Sequence, residues 1–384
     1  MKKVCMFGLY DRIYFRNTSN IQHIRALNCQ VIECPNKIRP YAEKEDKAER
    51  VKQKGFLWLA LRLFFSYLHA IVKIPIVWNC DAVLCGKPGH LDVLFLSLGM
   101  GWKRVPIIFD AFFSLYDTIV NDRMLLNKES IGAKVVWWVD YLACRLATHI
   151  LVDTEEHKEY FMNHFKVAKE VITVVPVCTD ETLFNIKKCK FSPSAVTQVL
   201  FYGTFVPLQG IEYILKAAKQ LEQFENIRFT IVGRGQESCK IRTLAKTLNL
   251  DNIHFYDWVE FKKLPDLITG ATICLGVFGS SKKASRVIPN KLVQAIAMAK
   301  PVITAETEAV KRHFTDGESI LLCPPEDESA LTNAILRLHG DVELRERIGK
   351  GGYEVYKKVF SEKAVRGRLE EALETVFTSN FKHA

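Results

Sequence analysis

The sequence lacks the patterns that identify several common protein classes. Its 11 cysteines include no C-x-x-C pair, its acids include no D-x-D triplet, and the loop after its first apolar run is not G-x-G-x-x-G. Low-complexity and collagen-like stretches are also missing. These absences argue against a zinc site, a carboxylate pair that binds a diphosphate through a metal, and a dinucleotide fingerprint. We therefore expect no metal site and no resident cofactor.

The cysteines are scattered along the chain rather than grouped. Several lie inside apolar runs, among them Cys5, Cys85 and Cys323, where a reduced cysteine packs as a small hydrophobic side chain. A secretory signal is also missing, because only six apolar residues follow Met1-Lys-Lys. Both observations predict a cytoplasmic protein.

The chain carries a net charge of +10, with 53 Lys and Arg against 43 Asp and Glu. Such an excess favours nucleic acid, an anionic membrane surface or phosphorylated substrates as partners. Since no RNA- or DNA-binding motif accompanies the charge, nucleic acid is not expected. About half of the excess lies in residues 36–76, which hold nine Lys or Arg and four Asp or Glu.

An almost wholly apolar run extends from Phe56 to Ile76 within this basic region. Its few polar residues fall on one narrow helical stripe, and Arg62 in the middle argues against a membrane-spanning helix. Two interpretations stay open: a helix buried against the sheet, or a helix partly immersed in a membrane interface and thus peripheral on the cytoplasmic face. In the second case the preceding basic residues attract anionic lipid. These are Lys44, Lys47, Arg50, Lys52 and Lys54.

Apolar runs with strand character alternate with helical patterns in both halves of the chain. This alternation predicts an α/β protein with parallel sheets covered on both faces, and 384 residues suit two such domains. Ligands of these sheets bind beyond the carboxyl ends of the strands. Strands are predicted at residues 3–9, 30–34, 81–86, 105–111, 149–153 and 171–177, then at 199–203, 228–233, 253–259, 272–278, 301–305 and 320–323.

Residues 285–304 read as loop, helix and strand. The helical pattern begins after Pro289 and ends before Pro301. Arg286, Asn290 and Lys291 therefore stand at a helix N-terminus, where free backbone N–H groups and the helix dipole favour phosphate.

The same stretch resembles the nucleotide-sugar-binding segment of the retaining family-4 glycosyltransferases. Residues 294–303, Gln-Ala-Ile-Ala-Met-Ala-Lys-Pro-Val-Ile, correspond to the family's E-A-M-A and G-x-P-V-I run, and Pro289-Asn-Lys-Leu292 matches its P-x-K-L variant. Arg286 and Gln294 stand where the family often has two glutamates eight positions apart. The resemblance implies the GT-B fold, with two Rossmann-like domains whose parallel sheets face a central cleft.

The resemblance also implies a domain plan. Residues 1–185 would form an acceptor-binding domain, residues 186–362 a nucleotide-sugar-binding domain, and residues 363–384 a helix that crosses back toward the first domain. Residues 174–184 resemble the family's interdomain segment, and the polar residues 187–194 read as the linker.

The implied activity is transfer of a sugar, with retention and without a metal, from a nucleoside diphosphate-sugar to an acceptor hydroxyl. Arg286 and Lys291 would neutralise the diphosphate, because Thr204 and Gln209 stand where the family has an Arg and a Lys. Asp110 would act in catalysis by orienting the acceptor or accepting its proton, with a purely structural hydrogen-bonding role as the alternative. Further donor contacts would come from Gly203, Thr204, Gln209, Gly233, Trp258, Val259, Gly279, Asn290 and Gln294, and acceptor contacts from Gly8, Arg16, Asn17 and His90.

Two other functions remain open at this point. The missing glutamates favour a catalytically degenerate nucleotide-sugar-binding protein, and a sugar-nucleotide epimerase shares the expected fold. The sequence does not name the sugar, the base or the acceptor. The apolar run from Phe56 to Ile76 favours a lipid-linked or cell-surface saccharide, and hence a role in polysaccharide biosynthesis.

Overall fold

The computed structural model describes residues 1–10, 14–35, 56–100, 105–188 and 196–378, without the side chains of residues 56, 57, 59 and 60. The basic residues between Lys44 and Lys54 and most of the predicted linker at 187–194 lie outside this description.

Twelve strands lie in the described part of the chain, and each overlaps the run predicted for it. The largest differences are at strand ends: three of the predicted strands end three residues early, at Val174, Tyr256 and Leu275. The strands are β1 (Lys3–Gly8), β2 (Gln30–Pro35), β3 (Ala82–Cys85), β4 (Ile107–Asp110), β5 (His149–Val152), β6 (Ile172–Val174), β7 (Thr197–Tyr202), β8 (Ile227–Val232), β9 (Ile253–Tyr256), β10 (Ile273–Leu275), β11 (Val302–Ala305) and β12 (Leu321–Cys323).

The strands form two six-stranded parallel sheets, with the orders β2-β1-β3-β4-β5-β6 and β12-β11-β10-β7-β8-β9. In the first sheet Cys5 lies opposite Ile32 on one side and Val83 on the other. Near-continuous apolar strands such as β3 and β4 are buried along their whole length, as both faces of a parallel sheet require. The strand order reverses beside β1 in the first sheet and beside β7 in the second, where ligands of such sheets bind. The predicted α/β fold class is therefore confirmed.

Helices and short turns connect the strands. In the described ranges the α-helices are α1 (Phe15–Ala26), α2 (Phe56–Ala70), α3 (Ile74–Val77), α4 (His90–Gly99), α5 (Ile131–Leu146), α6 (Glu155–Phe165), α7 (Ile211–Gln220), α8 (Ser238–Thr247), α9 (Leu264–Gly270), α10 (Asn290–Ala297), α11 (Glu308–Lys311), α12 (Glu328–Gly340), α13 (Val342–Val355) and α14 (Glu362–Thr378). None of them has both the length and the apolar character needed to cross a bilayer.

The chain divides into two compact units. Unit 1 comprises residues 1–120, 125–176 and 365–384, and unit 2 comprises residues 121–124 and 177–364. Each unit has its own core around its sheet, built on Phe7 and Phe109 in unit 1 and on Phe201 and Phe229 in unit 2. Residues 365–378 of α14 thus belong to the same compact unit as β1.

The apolar run from Phe56 to Ile76 is interrupted rather than continuous. Helix α2 ends at Ala70, a 3-10 turn covers Ile71–Lys73, and the short helix α3 follows. Ala70 and Ile74 pack into the core, whereas the outer positions of α2 are more than half exposed. The interpretation of a helix buried against the sheet therefore holds for one side of it only.

Two glycines bring the ends of β7 and β8 together. Gly203 (φ 155°) and Gly233 (φ 143°) have backbone conformations that residues with a side chain rarely adopt. A Cβ atom on Gly233 would lie 1.9 Å from the carbonyl oxygen of Gly203. The close approach of these two loops therefore depends on the absence of a side chain at residue 233.

We expect Gly233→Ala to lower the free energy of unfolding of unit 2 by about 2–5 kcal/mol, since the added methyl group meets backbone and the φ angle is strained. Urea unfolding followed by circular dichroism measures this. Gly270→Ala is the matched control, because an added Cβ there meets nothing within 4 Å, and its effect should stay within about 1 kcal/mol. Equal stability of the two variants would contradict the argument.

Candidate functional site

The carboxyl ends of β7 and β10 and the N-terminus of α10 place several predicted donor-site residues together in unit 2. Pro289 stands just before α10, so that Asn290 and Lys291 fall in the first helical turn. Asn290 is exposed, whereas Lys291 is buried, with 7% of its surface exposed.

Lys291 is held by neutral groups. Its Nζ donates hydrogen bonds to Gln209 Oε1 at 2.5 Å and to the carbonyl oxygen of Gly276 at 3.4 Å. The same Nζ lies 3.6 Å from the centre of the Phe201 ring. No ion pair of Lys291 with a carboxylate is present among the described residues. Burial therefore lowers the pKa of Lys291 well below its ordinary value of 10.5.

A buried ammonium group without a counter-ion is costly, and an anion that reaches it relieves that cost. Gly203 lies beside this nitrogen, since a Cβ atom on Gly203 would be 3.1 Å from Lys291 Nζ. The first turn of α10 adds N–H groups and the positive end of the helix dipole. The arrangement is chemically suited to a phosphate or diphosphate.

Gln294 lies one turn further along α10 and is also buried. The hydroxyl group of Tyr202, at the end of β7, lies 3.0 Å from the carbonyl oxygen of Lys291 and 3.1 Å from Gln294 Oε1. Burial raises the pKa of Tyr202, so this hydroxyl stays protonated and donates. It ties the start of α10 to the end of β7.

The other predicted donor residues differ in their surroundings. Gly279 N–H donates to the carbonyl oxygen of Leu208 at 3.2 Å, so this glycine allows two loops to pack. Arg286 is half-buried in a 3-10 turn (Ala284–Arg286) that precedes α10. Thr204 and Trp258 are exposed, and Val259 is half-buried.

Asp110 ends β4 in unit 1 and is committed to internal contacts. Arg16 Nε lies 2.9 Å from both carboxylate oxygens, and Asn20 Nδ2 donates to Oδ2 at 3.1 Å. Arg16 also donates to the carbonyl oxygen of Val175 at 2.9 Å. Asp110 is 2% exposed, and its contacts with Arg16 hold that side chain in place at this edge of the sheet.

The remaining predicted acceptor residues also make internal contacts. Asn17 exchanges two hydrogen bonds with the backbone of Lys87, at 2.9 and 3.0 Å. His90 is buried against Phe109, with its Nε2 3.0 Å from Asp140 Oδ1. These side chains fix the loops at the carboxyl edge of the first sheet.

Sequence reasoning missed Asp92, which lies on α4 and is wholly buried. Its carboxylate accepts hydrogen bonds from the Tyr67 hydroxyl at 2.8 Å and from Leu9 N–H at 3.0 Å. It also fills the space beside Gly8, where a Cβ atom would lie 2.1 Å from the carboxylate. The one available signal was a single acid in the apolar run His-Leu-Asp-Val-Leu. Burial raises the pKa of Asp92 to about 7, although the two hydrogen bonds act to lower it.

A second feature missed at this edge is an aromatic cluster around Lys87. Its Nζ lies 4.6 Å from the ring centre of Tyr14, 4.4 Å from that of Phe112 and 5.0 Å from that of Phe113. Aromatic faces attract cations at such distances. Phe112 also faces the Arg16 guanidinium, at 5.1 Å.

Two solved structures share the fold over almost the whole chain, and the GT-B architecture expected from the sequence is confirmed. Sucrose-phosphate synthase from Thermosynechococcus elongatus gives a TM-score of 0.72 at 16% identity, covering 98% of this chain and 99% of that one. HepE from Anabaena, in complex with UDP and glucose, gives 0.69 at 13% identity, covering 97% and 99%.

The family comparison concerns unit 2. The family model "Glycosyl transferases group 1" matches residues 185–355. Phosphatidyl-myo-inositol mannosyltransferase from Mycobacterium leprae is 30% identical over 187 residues, which are 48% of this chain and 48% of that protein. The chain thus spans about half the length of the curated relatives it matches.

We expect the buried Asp92 to make the protein less stable as the pH rises. The folded-state pKa of about 7 lies above the ordinary value of 3.8, so the folded protein keeps a proton that the unfolded chain gives up. The stability that Asp92 contributes is complete below pH 3.8 and is lost by about pH 7. The difference between the two pKa values corresponds to about 4 kcal/mol of unfolding free energy.

Asp92→Asn, which cannot titrate, should therefore gain stability relative to the wild type as the pH rises from about 4 to about 7. The measurement is the difference in unfolding free energy between variant and wild type in urea across that range. A difference that does not change with pH would show that Asp92 keeps an ordinary pKa.

Proposed function

We propose that this protein is a glycosyltransferase that moves a sugar from a nucleoside diphosphate-sugar to an acceptor hydroxyl, with retention and without a metal. The observation that carries the proposal is the buried Lys291 side chain at the edge of the second sheet, whose nitrogen contacts neutral groups in the described part of the chain. The match of residues 185–355 to glycosyl transferases group 1 supports it independently.

Lys291 and Arg286 neutralise the diphosphate in this proposal. Lys291 Nζ contacts Gln209, the position at which the resemblance implies a lysine. The cation therefore reaches the same place from α10 instead of from the loop after β7. Arg286, in the turn before α10, is the second cation assigned to the diphosphate.

The remaining donor contacts follow from the positions of the loops. Glycines 203 and 233 let the nucleotide approach backbone, and Thr204 and Asn290 offer exposed polar groups. Gln294 hydrogen-bonds the ribose, in the position of the family's second glutamate. Trp258 and Val259 lie beyond β9, where the base is assigned. Gly279 contributes through the loop packing that it permits.

In the transfer, the acceptor oxygen bonds to the anomeric carbon and the bond from that carbon to the diphosphate oxygen breaks. The hydroxyl proton passes to the departing diphosphate. Because cations and helix N–H groups stabilise this diphosphate in the proposal, the transfer needs no metal. Asp110 acts through Arg16, which makes it a positioning residue at the acceptor edge of unit 1. Gly8, Asn17 and His90 shape the same edge.

We infer a saccharide or lipid-linked acceptor and a peripheral position on the cytoplasmic membrane face. The exposed outer side of α2 supports membrane contact, and the relative from Mycobacterium leprae is named for a phosphatidyl-inositol acceptor. A role in polysaccharide biosynthesis follows from the same acceptor class.

A second candidate is a nucleotide-sugar-binding protein that no longer catalyses transfer. Arg286 and Gln294 replace the two acids of the resemblance, and this observation favours it. Incubation with nucleotide-sugars, with and without a lipid extract, separates the candidates. We expect nucleotide release that depends on the extract. Binding without release would identify the degenerate protein, and a changed sugar without an acceptor would identify an epimerase.

We expect Lys291→Met to weaken nucleoside diphosphate binding by about 10- to 100-fold, because a charge-assisted contact is lost. Calorimetry with uridine, guanosine and adenosine diphosphates measures this. Lys350→Met is the matched control, since the Lys350 side chain is 78% exposed. Thermal unfolding verifies that both variants fold.

Proton uptake gives a second readout for Lys291. Its pKa is lowered in the free protein, and a bound diphosphate favours the charged form, so binding at a pH between the lowered pKa and 10.5 takes up a proton. Calorimetry in buffers of different ionisation enthalpy detects this uptake, which Lys291→Met should abolish. Unchanged affinity and uptake in that variant would remove Lys291 from the site.

A further inference from the structure

Helix α5 has an apolar side that faces away from the core. Trp137 stacks on Tyr141 and contacts Phe165 on the inner side. Its neighbour Trp138 is 53% exposed, and Val135, one turn earlier, is 54% exposed. Exposed apolar positions recur along the helix from Ile131 to Leu146, at the spacing of one helical face. The proposed sugar transfer gives this surface no role, and no sequence motif named above includes it.

Helices α2, α3, α4 and α5 lie on the same side of the first sheet. The strand order places β3, β4 and β5 successively on one side of β1, so the connections that carry these helices all run in one direction. Right-handed crossovers then put them on one face. Packing agrees, because Tyr67 of α2 contacts Phe95 of α4 at 5.0 Å, and a Cβ atom on Gly99 would be 3.0 Å from Ile74 of α3.

The outer surfaces of these four helices, with the turn Ile71–Lys73, form what we call the apolar face. It holds 13 of the 22 large hydrophobic side chains that are exposed in the described chain. Phe64 and Phe65 of α2 are each 62% exposed, and Leu98 of α4, between the flanking helices, is 87% exposed. Such a concentration of exposed apolar side chains marks an interaction surface.

Charge on the apolar face has one sign. The only acids in its helices are Asp92 and Asp140, and both are wholly buried. Its exposed or half-exposed charges are cationic: Arg62 on α2, Lys73 in the turn, and Lys134 and Arg145 on α5. Apolar and aromatic side chains bordered by Lys and Arg suit the interface of an anionic bilayer. A second copy of the chain would bring the same cations against it.

We propose that the apolar face as a whole, and not α2 alone, binds the surface of an anionic membrane. Helices α2 and α5 form its two margins, and Leu98 lies between them. This inference deepens the membrane contact of the proposed function, but it concerns unit 1 and does not depend on how unit 2 binds nucleotide.

Co-sedimentation of the full-length protein with vesicles tests this. We expect binding to phosphatidylcholine vesicles that contain phosphatidylglycerol, and weak binding to phosphatidylcholine alone. Phe64→Glu, Leu98→Glu and Trp138→Glu should each lower the partition coefficient by about tenfold, since each places an acid in the bound surface. Val342→Glu is the control: Val342 is 56% exposed but lies in unit 2, and its variant should bind as the wild type does.

Three outcomes would overturn the inference. If the wild-type protein does not bind anionic vesicles, the membrane is not the partner of the apolar face. Loss of binding in Phe64→Glu alone restricts the contact to α2. A dimer in sedimentation equilibrium that Trp138→Glu dissociates makes a second copy the occupant. Nucleoside diphosphate affinity, measured on the same variants, should stay unchanged in every case, which separates this test from that of the donor site.

Discussion

The burial of one lysine, with no acid partner among the residues that the structure describes, is the constraint on which the second unit depends. Lys291 is placed by three elements at once: α10 carries it, the loop after β7 supplies Gln209, and β10 leads to the accepting carbonyl of Gly276. A carboxylate in place of Gln209 would make a stable internal pair and leave no need for an external anion. Neutral partners instead hold the amino group in position and offer its charged form no counter-ion, so that a bound diphosphate can supply one.

One buried charge of unit 1, that of Asp110, is held in the opposite way. The Asp110 carboxylate is fully engaged by Arg16 and Asn20, so the charge is balanced inside the protein. Such a pair stabilises loop geometry but offers little to an anionic ligand. In the proposed function, unit 2 would bind the charged donor, and unit 1 would present a shaped edge, lined by the aromatic rings around Lys87, to a less charged acceptor.

Much of the fold could be predicted because it depends on local pattern. Parallel strands buried on both faces read as short apolar runs, and all the predicted runs contain a strand. The start of α10 followed from Pro289 in the same way. The partners of buried polar groups could not be predicted, because they depend on contacts between residues distant in sequence. Asp110 and Arg16 are 94 positions apart, and nothing in either segment indicates the other. Asp92 was missed for the same reason.

The direction in which an apolar helix faces is also non-local information. The sequence of α5 looks like a core helix, and only the position of α4 and α6 beside it decides that Trp137 turns inward and Trp138 outward. Because α2, α4 and α5 lie on the same side of the first sheet, the burial of Asp92 and Asp140 also affects the surface that these helices expose. Both acids make their contacts inside unit 1, and their absence from the surface leaves the exposed side of three helices without an acidic group. The same packing that completes the core thus determines the electrostatic character of the outer face.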